Sequence, residues 1–264
     1  MKWLLLFLCL DTIFLPIPAD ANSGNDPFLG ANQYPQYRNI SGLSGGGFGI
    51  NASGYGSLTG ATAFSTPIAY VLGHGEIRIL GAKMTFGGLN LNSDHSNGSG
   101  VFMIGGTIGH VNAAFTDFIK SSQWDQALNL QLGFIPSAKN RFAFSIGVQD
   151  IIGHGGAAGI FQKGDSASTR SLFAVSTYRA ETRKRPIYFT LGIGTRRYRK
   201  SFASVSTRIA RPLRGYIEYD GFGFNEGLLY TMKLSHSSIL PVETDFGFLL
   251  IRGRYPTLSI GFGF

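Results

Sequence analysis

The last ten residues, Tyr255-Pro256-Thr257-Leu258-Ser259-Ile260-Gly261-Phe262-Gly263-Phe264, carry the clearest structural pattern in the sequence. Every second residue is apolar, and the residues between them are small or polar. The apolar positions are Leu258, Ile260, Phe262 and Phe264. A β-strand with this period places one apolar row on one face and one small, polar row on the other. The stretch therefore predicts a strand that separates two different environments.

Two kinds of protein carry such a strand at the end of the chain. In a soluble sandwich it would be buried, because a bare apolar edge invites aggregation. In a membrane β-barrel the last strand pairs with the first, and its apolar row faces lipid. The stretch also resembles the C-terminal signal that Gram-negative outer-membrane proteins present to their insertion machinery, which implies that machinery as a partner.

The composition favours the barrel. Among 264 residues there are 37 Gly, 22 Phe and 11 Tyr, which suits short strands, tight turns and aromatic girdles. With 44% hydrophobic and only 14% charged residues, the chain is too apolar for a disordered protein. No internal segment supplies the ~20 apolar residues that a transmembrane helix needs. The membrane crossing is therefore predicted to be made by strands.

The N-terminus reads as an export signal. Lys2 precedes an apolar run, and Ala19-Asp20-Ala21 forms an A-x-A cleavage pattern, so residues 1–21 are predicted to be a cleaved signal peptide. Cys9, the only cysteine, lies in this segment. Lipoprotein acylation at Cys9 is the alternative, but Leu8 is too bulky for that cleavage. The mature chain is then expected to have no disulfide and no cysteine-based metal or redox site.

The rest of the chain divides into two parts. Residues 22–75 are rich in Gly, Ser and Asn and are predicted to form a periplasmic lead-in. Residues 76–264 are predicted to form the transmembrane barrel. It holds about twelve strand candidates, with ten or fourteen as alternatives: 76–86, 101–108, 111–119, 127–135, 140–149, 169–179, 187–195, 201–210, 213–220, 226–233, 242–251 and 255–264.

The connections between these candidates indicate the orientation. An even number of strands places both termini on the periplasmic side. The long connections 87–100 and 150–168 then lie outside the cell, and the short turns 136–139 and 211–212 lie inside, as in outer-membrane barrels. The sequence thus predicts an all-β, antiparallel outer-membrane barrel that 255–264 closes against 76–86.

Three stretches resemble the YjbH-like outer-membrane proteins, a Gram-negative family associated with exopolysaccharide production. The first runs from Ser57 to Arg78 and includes Thr66-Pro67-Ile68-Ala69-Tyr70-Val71-Leu72-Gly73. The second is Phe144-Ser145-Ile146-Gly147-Val148-Gln149-Asp150-Ile151-Ile152-Gly153. The third is Tyr216-Ile217-Glu218-Tyr219-Asp220-Gly221 with Asn225-Glu226-Gly227. The resemblance implies a β-barrel that assists surface-polysaccharide secretion or envelope organisation.

A basic segment, 179–214, contains the first set of candidate functional charges. Its external turn is predicted to carry Arg196, Arg197, Arg199 and Lys200. These cations would pair with lipopolysaccharide phosphates or attract an anionic polysaccharide to the barrel mouth. Nucleic acid is not expected as a partner, because the segment is exported.

The second set of candidate charges is Arg208, Glu218 and Asp220. The alternation along neighbouring strands predicts that these three side chains face the lumen. They would form a structural ion pair or set the selectivity of a pore. Small residues at inward positions would leave a channel or let the barrel flatten and close. These positions are Gly133, Gly147, Gly192 and Gly261.

No catalytic residue, metal site or cofactor is predicted. The five histidines never occur at metal-ligand spacing, and no G-x-S-x-G motif is present. A hydrolase site around Ser235-His236-Ser237 lacks an acid that the sequence can place beside it. The predicted function is a non-enzymatic barrel for polysaccharide secretion or envelope organisation. The alternative is a narrow passive channel for small anionic or neutral solutes.

Overall fold

The structure is a computed structural model that describes residues 60–73, 75–84, 98–120, 125–134, 141–151, 170–182, 185–195, 198, 201–221, 223–233, 243–251, 253 and 255–264. The predicted signal peptide and residues 22–59 of the predicted lead-in lie outside this part. Within it, no helix is long and apolar enough to cross a membrane.

Twelve antiparallel strands form one closed barrel, as the alternating sequence pattern predicts. The strands are β1 (Ile77–Met84), β2 (Gly98–Ile108), β3 (Val111–Lys120), β4 (Asp125–Phe134), β5 (Phe142–Gln149), β6 (Ser171–Glu181), β7 (Pro186–Gly194), β8 (Phe202–Arg208), β9 (Leu213–Tyr219), β10 (Phe224–Lys233), β11 (Glu243–Ile251) and β12 (Tyr255–Gly263). Each strand pairs with its neighbour in the chain, so the all-β barrel fold is confirmed.

The terminal stretch closes the barrel. β12 pairs antiparallel with β1 from Arg78↔Gly263 to Met84↔Thr257, and its other edge pairs with β11. The end of the barrel at which β1 finishes with Met84 and β2 begins with Gly98 lies away from both barrel termini, and we call it the loop end. The opposite end, where β1 begins and β12 finishes, is called the terminal end.

The two faces of the barrel wall have opposite polarity. Leu191, Ile193 and Ile146 point outward with 63%, 62% and 60% of their surface exposed. On β12, Leu258 and Ile260 lie on the outside, whereas Thr257 and Ser259 are buried on the inside. Phe264 is also exposed, and Phe262 is partly exposed. The period of two thus creates an apolar outer surface and a largely polar inner wall.

Residues 60–73, which we call the luminal segment, lie inside the barrel and are buried along their whole length. Val71 is 4% exposed, and Ala63, Ser65 and Leu72 are fully covered. The sequence predicts that these residues belong to a periplasmic lead-in, whereas the structure places them in the core of the barrel. The physical reason is that a barrel of this size encloses space, and apolar residues of the segment gain burial there with wall residues such as Leu80 and Val175.

Two adjacent glycines of β2 test the position of the luminal segment. A Cβ at Gly105 would lie 2.7 Å from the backbone nitrogen of Gly73, whereas a Cβ at Gly106 meets nothing within 4 Å. We expect Gly105→Ala to lower the free energy of unfolding by about 1–3 kcal/mol, the usual cost of overpacking.

The measurement is denaturant unfolding of the purified protein in detergent, followed by gel mobility of unheated samples. Gly106→Ala is the matched control and should leave the transition midpoint nearly unchanged. Equal midpoints for both variants would contradict the placement of the luminal segment against β2.

Candidate functional site

The candidate site is the lumen wall together with the luminal segment that fills it. The main chain of the segment bonds to inward side chains of several strands. Thr62 N–H donates to Ser206 Oγ on β8 at 3.1 Å, and Ala69 N–H donates to Thr177 Oγ1 on β6 at 2.9 Å. These bonds satisfy backbone groups that water does not reach.

The later part of the segment, which leads towards β1, is also held by hydrogen bonds to inward side chains. Gln131 Nε2 on β4 donates to Ile68 O at 2.7 Å, and Asn112 Nδ2 on β3 donates to Val71 O at 3.1 Å. Hydroxyl and amide side chains of four strands therefore bind the backbone of the segment, and no regular secondary structure of its own is needed.

Glu218 on β9 makes the densest set of contacts with the segment. Its carboxylate accepts hydrogen bonds from the backbone N–H groups of Phe64, Ser65 and Thr66 at 2.9–3.2 Å. The Thr66 hydroxyl donates to the same carboxylate at 3.1 Å. Successive N–H groups that converge on one anion form a nest, which compensates a charge at a site where Glu218 is only 1% exposed.

Asn225 on β10 extends this contact. Its Nδ2 lies 3.3 Å from Glu218 Oε1, from Asp220 Oδ2 and from Ser65 Oγ. Asp220 also accepts a hydrogen bond from Gly223 N–H at 3.0 Å, so it stabilises the turn between β9 and β10. We call Glu218, Asn225 and residues 64–66 the carboxylate clamp.

The predicted luminal charges therefore occupy different places. Glu218 and Asp220 are buried together at the loop end, whereas Arg208 lies at the other end of β8 and faces Arg214 across the β8–β9 ladder. In the described part of the chain Glu218 bonds to N–H and hydroxyl groups rather than to Arg208. Arg196, Arg197, Arg199 and Lys200 lie outside the described residues, so their role stays a prediction.

Two charged contacts near the terminal end were missed by the sequence analysis. Arg214 Nη2 lies 3.7 Å from Asp245 Oδ1 on β11 and donates to Thr231 Oγ1 at 2.9 Å, and Thr231 in turn donates to Asp245. Arg78 on β1 pairs with Glu76 and, at 3.5 Å, with Glu243 on β11. The alternation along each strand predicts that these side chains point inward. It does not show which charges pair across strands.

The second of these contacts crosses the closing seam. Arg78 reaches Glu243 over Gly263 of β12, which is paired with both residues in the sheet. A side chain at Gly263 would occupy the position of the Arg78 guanidinium. The small inward row of β12 therefore leaves room for an ion pair between its two neighbouring strands.

Aromatic side chains fill the loop end of the lumen. The rings of Phe173 and Tyr198 are 5.2 Å apart, and those of Tyr198 and Phe202 are 4.9 Å apart. Tyr198 comes from the connection between β7 and β8, is 1% exposed, and donates through its hydroxyl to Gln149 Oε1 at 2.6 Å. Tyr188, further down β7, lies 5.9 Å from Tyr70 of the luminal segment in an edge-to-face contact.

Side chains in the lumen pack against inward glycines of the wall. The phenyl ring of Phe173 lies over Gly147, that of Phe202 lies over Gly192, and Val71 lies over Gly133. From the sequence, these glycines are predicted to leave a channel or to let the barrel flatten. In the structure they make room for side chains that occupy the lumen.

Comparisons with other proteins add no family. No protein-family model matches the chain, and no curated protein matches it. The resemblance to YjbH-like proteins therefore stays a prediction from the sequence. Among the described residues, no group of three or more His, Cys, Asp or Glu side chains is placed to hold a metal ion.

The carboxylate clamp predicts a stability effect. Glu218→Ala removes the acceptor of three buried N–H groups, so we expect a loss of about 3 kcal/mol in the free energy of unfolding. Glu218→Gln keeps one oxygen acceptor and should lose less. Denaturant titration in detergent measures both values.

Glu181 provides the control. Its side chain is 46% exposed and pairs with Arg179 at 2.7 Å, and an exposed ion pair contributes little. Glu181→Ala should change the free energy of unfolding by less than about 0.5 kcal/mol. A Glu218→Ala variant as stable as Glu181→Ala would show that the clamp does not hold the segment.

Proposed function

We propose that the chain is a non-enzymatic outer-membrane β-barrel, exported through a cleaved signal peptide, that is closed at rest and assists surface-polysaccharide secretion or envelope organisation. The observation that carries this proposal is the combination of an apolar outer wall with a lumen filled by the chain's own residues. The apolar outer wall supports a membrane location, and the filled lumen supports a barrel that does not conduct freely.

The outer wall supports a lipid environment. Large apolar side chains lie exposed on most strands, among them Phe102, Phe144, Leu191 and Phe248. A soluble monomer rarely exposes apolar patches larger than a few hundred Å². β3, β4 and β10 each have 10 residues, within the range that a tilted strand needs to cross a bilayer. Outer-membrane lipid and lipopolysaccharide are then the direct surroundings.

The filled lumen argues against the alternative of a narrow passive channel. A channel needs a continuous water path, whereas the luminal segment is bonded to β3, β4, β6, β8 and β9. The segment also packs with wall residues in one apolar cluster. Opening therefore requires that the segment move.

The polysaccharide role rests on the resemblance, and the structure relates two of the stretches that carry it. Glu218 and Asn225 belong to the third stretch, and Thr66 begins the quoted part of the first. These residues meet in the carboxylate clamp, where Thr66 donates two hydrogen bonds to Glu218. The stretches on which the proposed resemblance rests thus include residues that hold the luminal segment in place.

Single-channel recording tests the closed state. We expect the purified full-length mature protein, inserted in a planar bilayer, to show no steady openings, because residues 60–73 occupy the lumen. Insertion is verified separately by a gel-mobility difference between boiled and unboiled samples. Steady openings of the unmodified protein would favour the passive channel instead.

A charge on the outer wall tests the membrane location. Leu191 lies within β7 and Ile108 at the end of β2, with 63% and 77% of their surfaces exposed. Leu191→Arg should reduce the stability of the inserted barrel by about 2–4 kcal/mol, and Ile108→Arg by about 0–1 kcal/mol, because the cost falls towards the membrane surface. Refolding into lipid vesicles measures both. Equal, negligible effects would contradict a lipid-facing wall.

A further inference from the structure

We propose that the wall beneath the luminal segment is a track for an extended, neutral, hydroxyl-rich polymer, which residues 60–73 occupy at rest. This inference rests on the proposed function, because it needs a membrane barrel, and it names the substrate class of the same lumen. When the segment is displaced, the extended polymer takes its place along the wall.

The chemistry of the wall supports this substrate class. Where the wall binds the backbone of the segment, most of the binding groups are uncharged: Ser206, Thr177, Gln131 and Asn112. Hydroxyl and amide groups both donate and accept hydrogen bonds. The hydroxyl groups of a sugar chain need such partners, as the amide groups of a polypeptide do.

The shape of the track fits an extended chain. The luminal segment contains no helix and no ladder strand, and inward side chains of the wall bond to its backbone at Thr62, Ile68, Ala69 and Val71. Gly105 and Gly133 let Leu72 and Val71 approach the wall closely. Tyr188, which now contacts Tyr70, would present an aromatic face to a ring that replaced it.

The charges of the track disfavour a polyanion. Arg214 pairs with Asp245, and Arg78 pairs with Glu76 and Glu243. In the described part of the lumen Glu218 is compensated by the N–H groups of residues 64–66 and not by a cation. Withdrawal of the segment would therefore uncover a carboxylate. Acidic side chains lining a pore select cations, so the track should reject the anionic polysaccharide that the basic segment suggested.

Two sets of variants test the displacement of the segment. Ser65→Pro removes the N–H that reaches both oxygens of Glu218 and keeps the carboxylate itself. The pair Val71→Cys/Gly133→Cys can lock the segment to β4, since a Cβ at Gly133 would lie 2.6 Å from Val71 Cγ2. Both are made in the full chain, and the mature region has no other cysteine. Thr66→Ala, which removes only a hydroxyl contact, is the milder second variant.

The experiment records conductance in planar bilayers with a salt gradient. We expect Ser65→Pro to open channels that prefer cations by several-fold, and Ser65→Pro with Glu218→Gln to lose that preference. A linear neutral glucan oligosaccharide should block the current, and an oligogalacturonate of equal length should block at least tenfold less well. Oxidation of the cysteine pair in the Ser65→Pro background should close the channels, and reduction should reopen them.

Three results would overturn the proposal. They are anion preference of Ser65→Pro, stronger block by the oligogalacturonate, and silence of both Ser65→Pro and Thr66→Ala in protein that shows heat-dependent gel mobility. In the last case the barrel and its membrane location stand and only the displaceable segment fails. Loss of heat-dependent mobility in the unmodified protein would instead defeat the proposed function itself.

Discussion

The interior of this barrel depends on one constraint, which is that backbone N–H groups inside a water-poor lumen need acceptors. The luminal segment brings a stretch of polypeptide with no partner strand into that lumen. Glu218 resolves much of the problem because a single carboxylate accepts from three successive residues, 64–66. The segment in turn compensates a charge that would be costly to bury alone. Each needs the other, so wall and segment form one unit.

The same requirement explains the polarity of the wall. Inward polar side chains are mainly hydroxyl and amide groups, which can serve either backbone N–H or C=O groups. The ion pairs Arg214–Asp245 and Arg78–Glu243 each join two strands that are separated by one other strand, near the terminal end. Apolar residues of the segment then pack with apolar wall positions, such as Leu80 and Val101. The outer wall has the opposite composition, which suits the proposed lipid surroundings, where no hydrogen bonds are supplied.

A closed barrel with its own segment inside unites the structural and functional arguments. The clamp joins residues that are far apart in the chain, since Thr66 lies 152 positions before Glu218. A lumen filled by a removable chain would remain sealed until a signal or a substrate displaced that chain. In the proposed open state, the Glu218 carboxylate would then line the track.

Period-two alternation predicts the strands, their order and the two faces, because the pattern is local and the side to which each residue points follows from its neighbours. On that basis Leu258 and Ile260 are expected outside and Glu218 inside. What fills the lumen depends instead on contacts between distant parts of the chain. Residues 60–73 carry no periodicity, since their bonds go to Ser206, Thr177 and Glu218, more than 100 positions away in the chain. For the same reason the sequence predicts for Gly133 and Gly192 only a channel or a flattened barrel. Val71 lies against Gly133 because of the path of the luminal segment, and Phe202 lies against Gly192 because neighbouring strands pack together. A local sequence pattern contains neither contact.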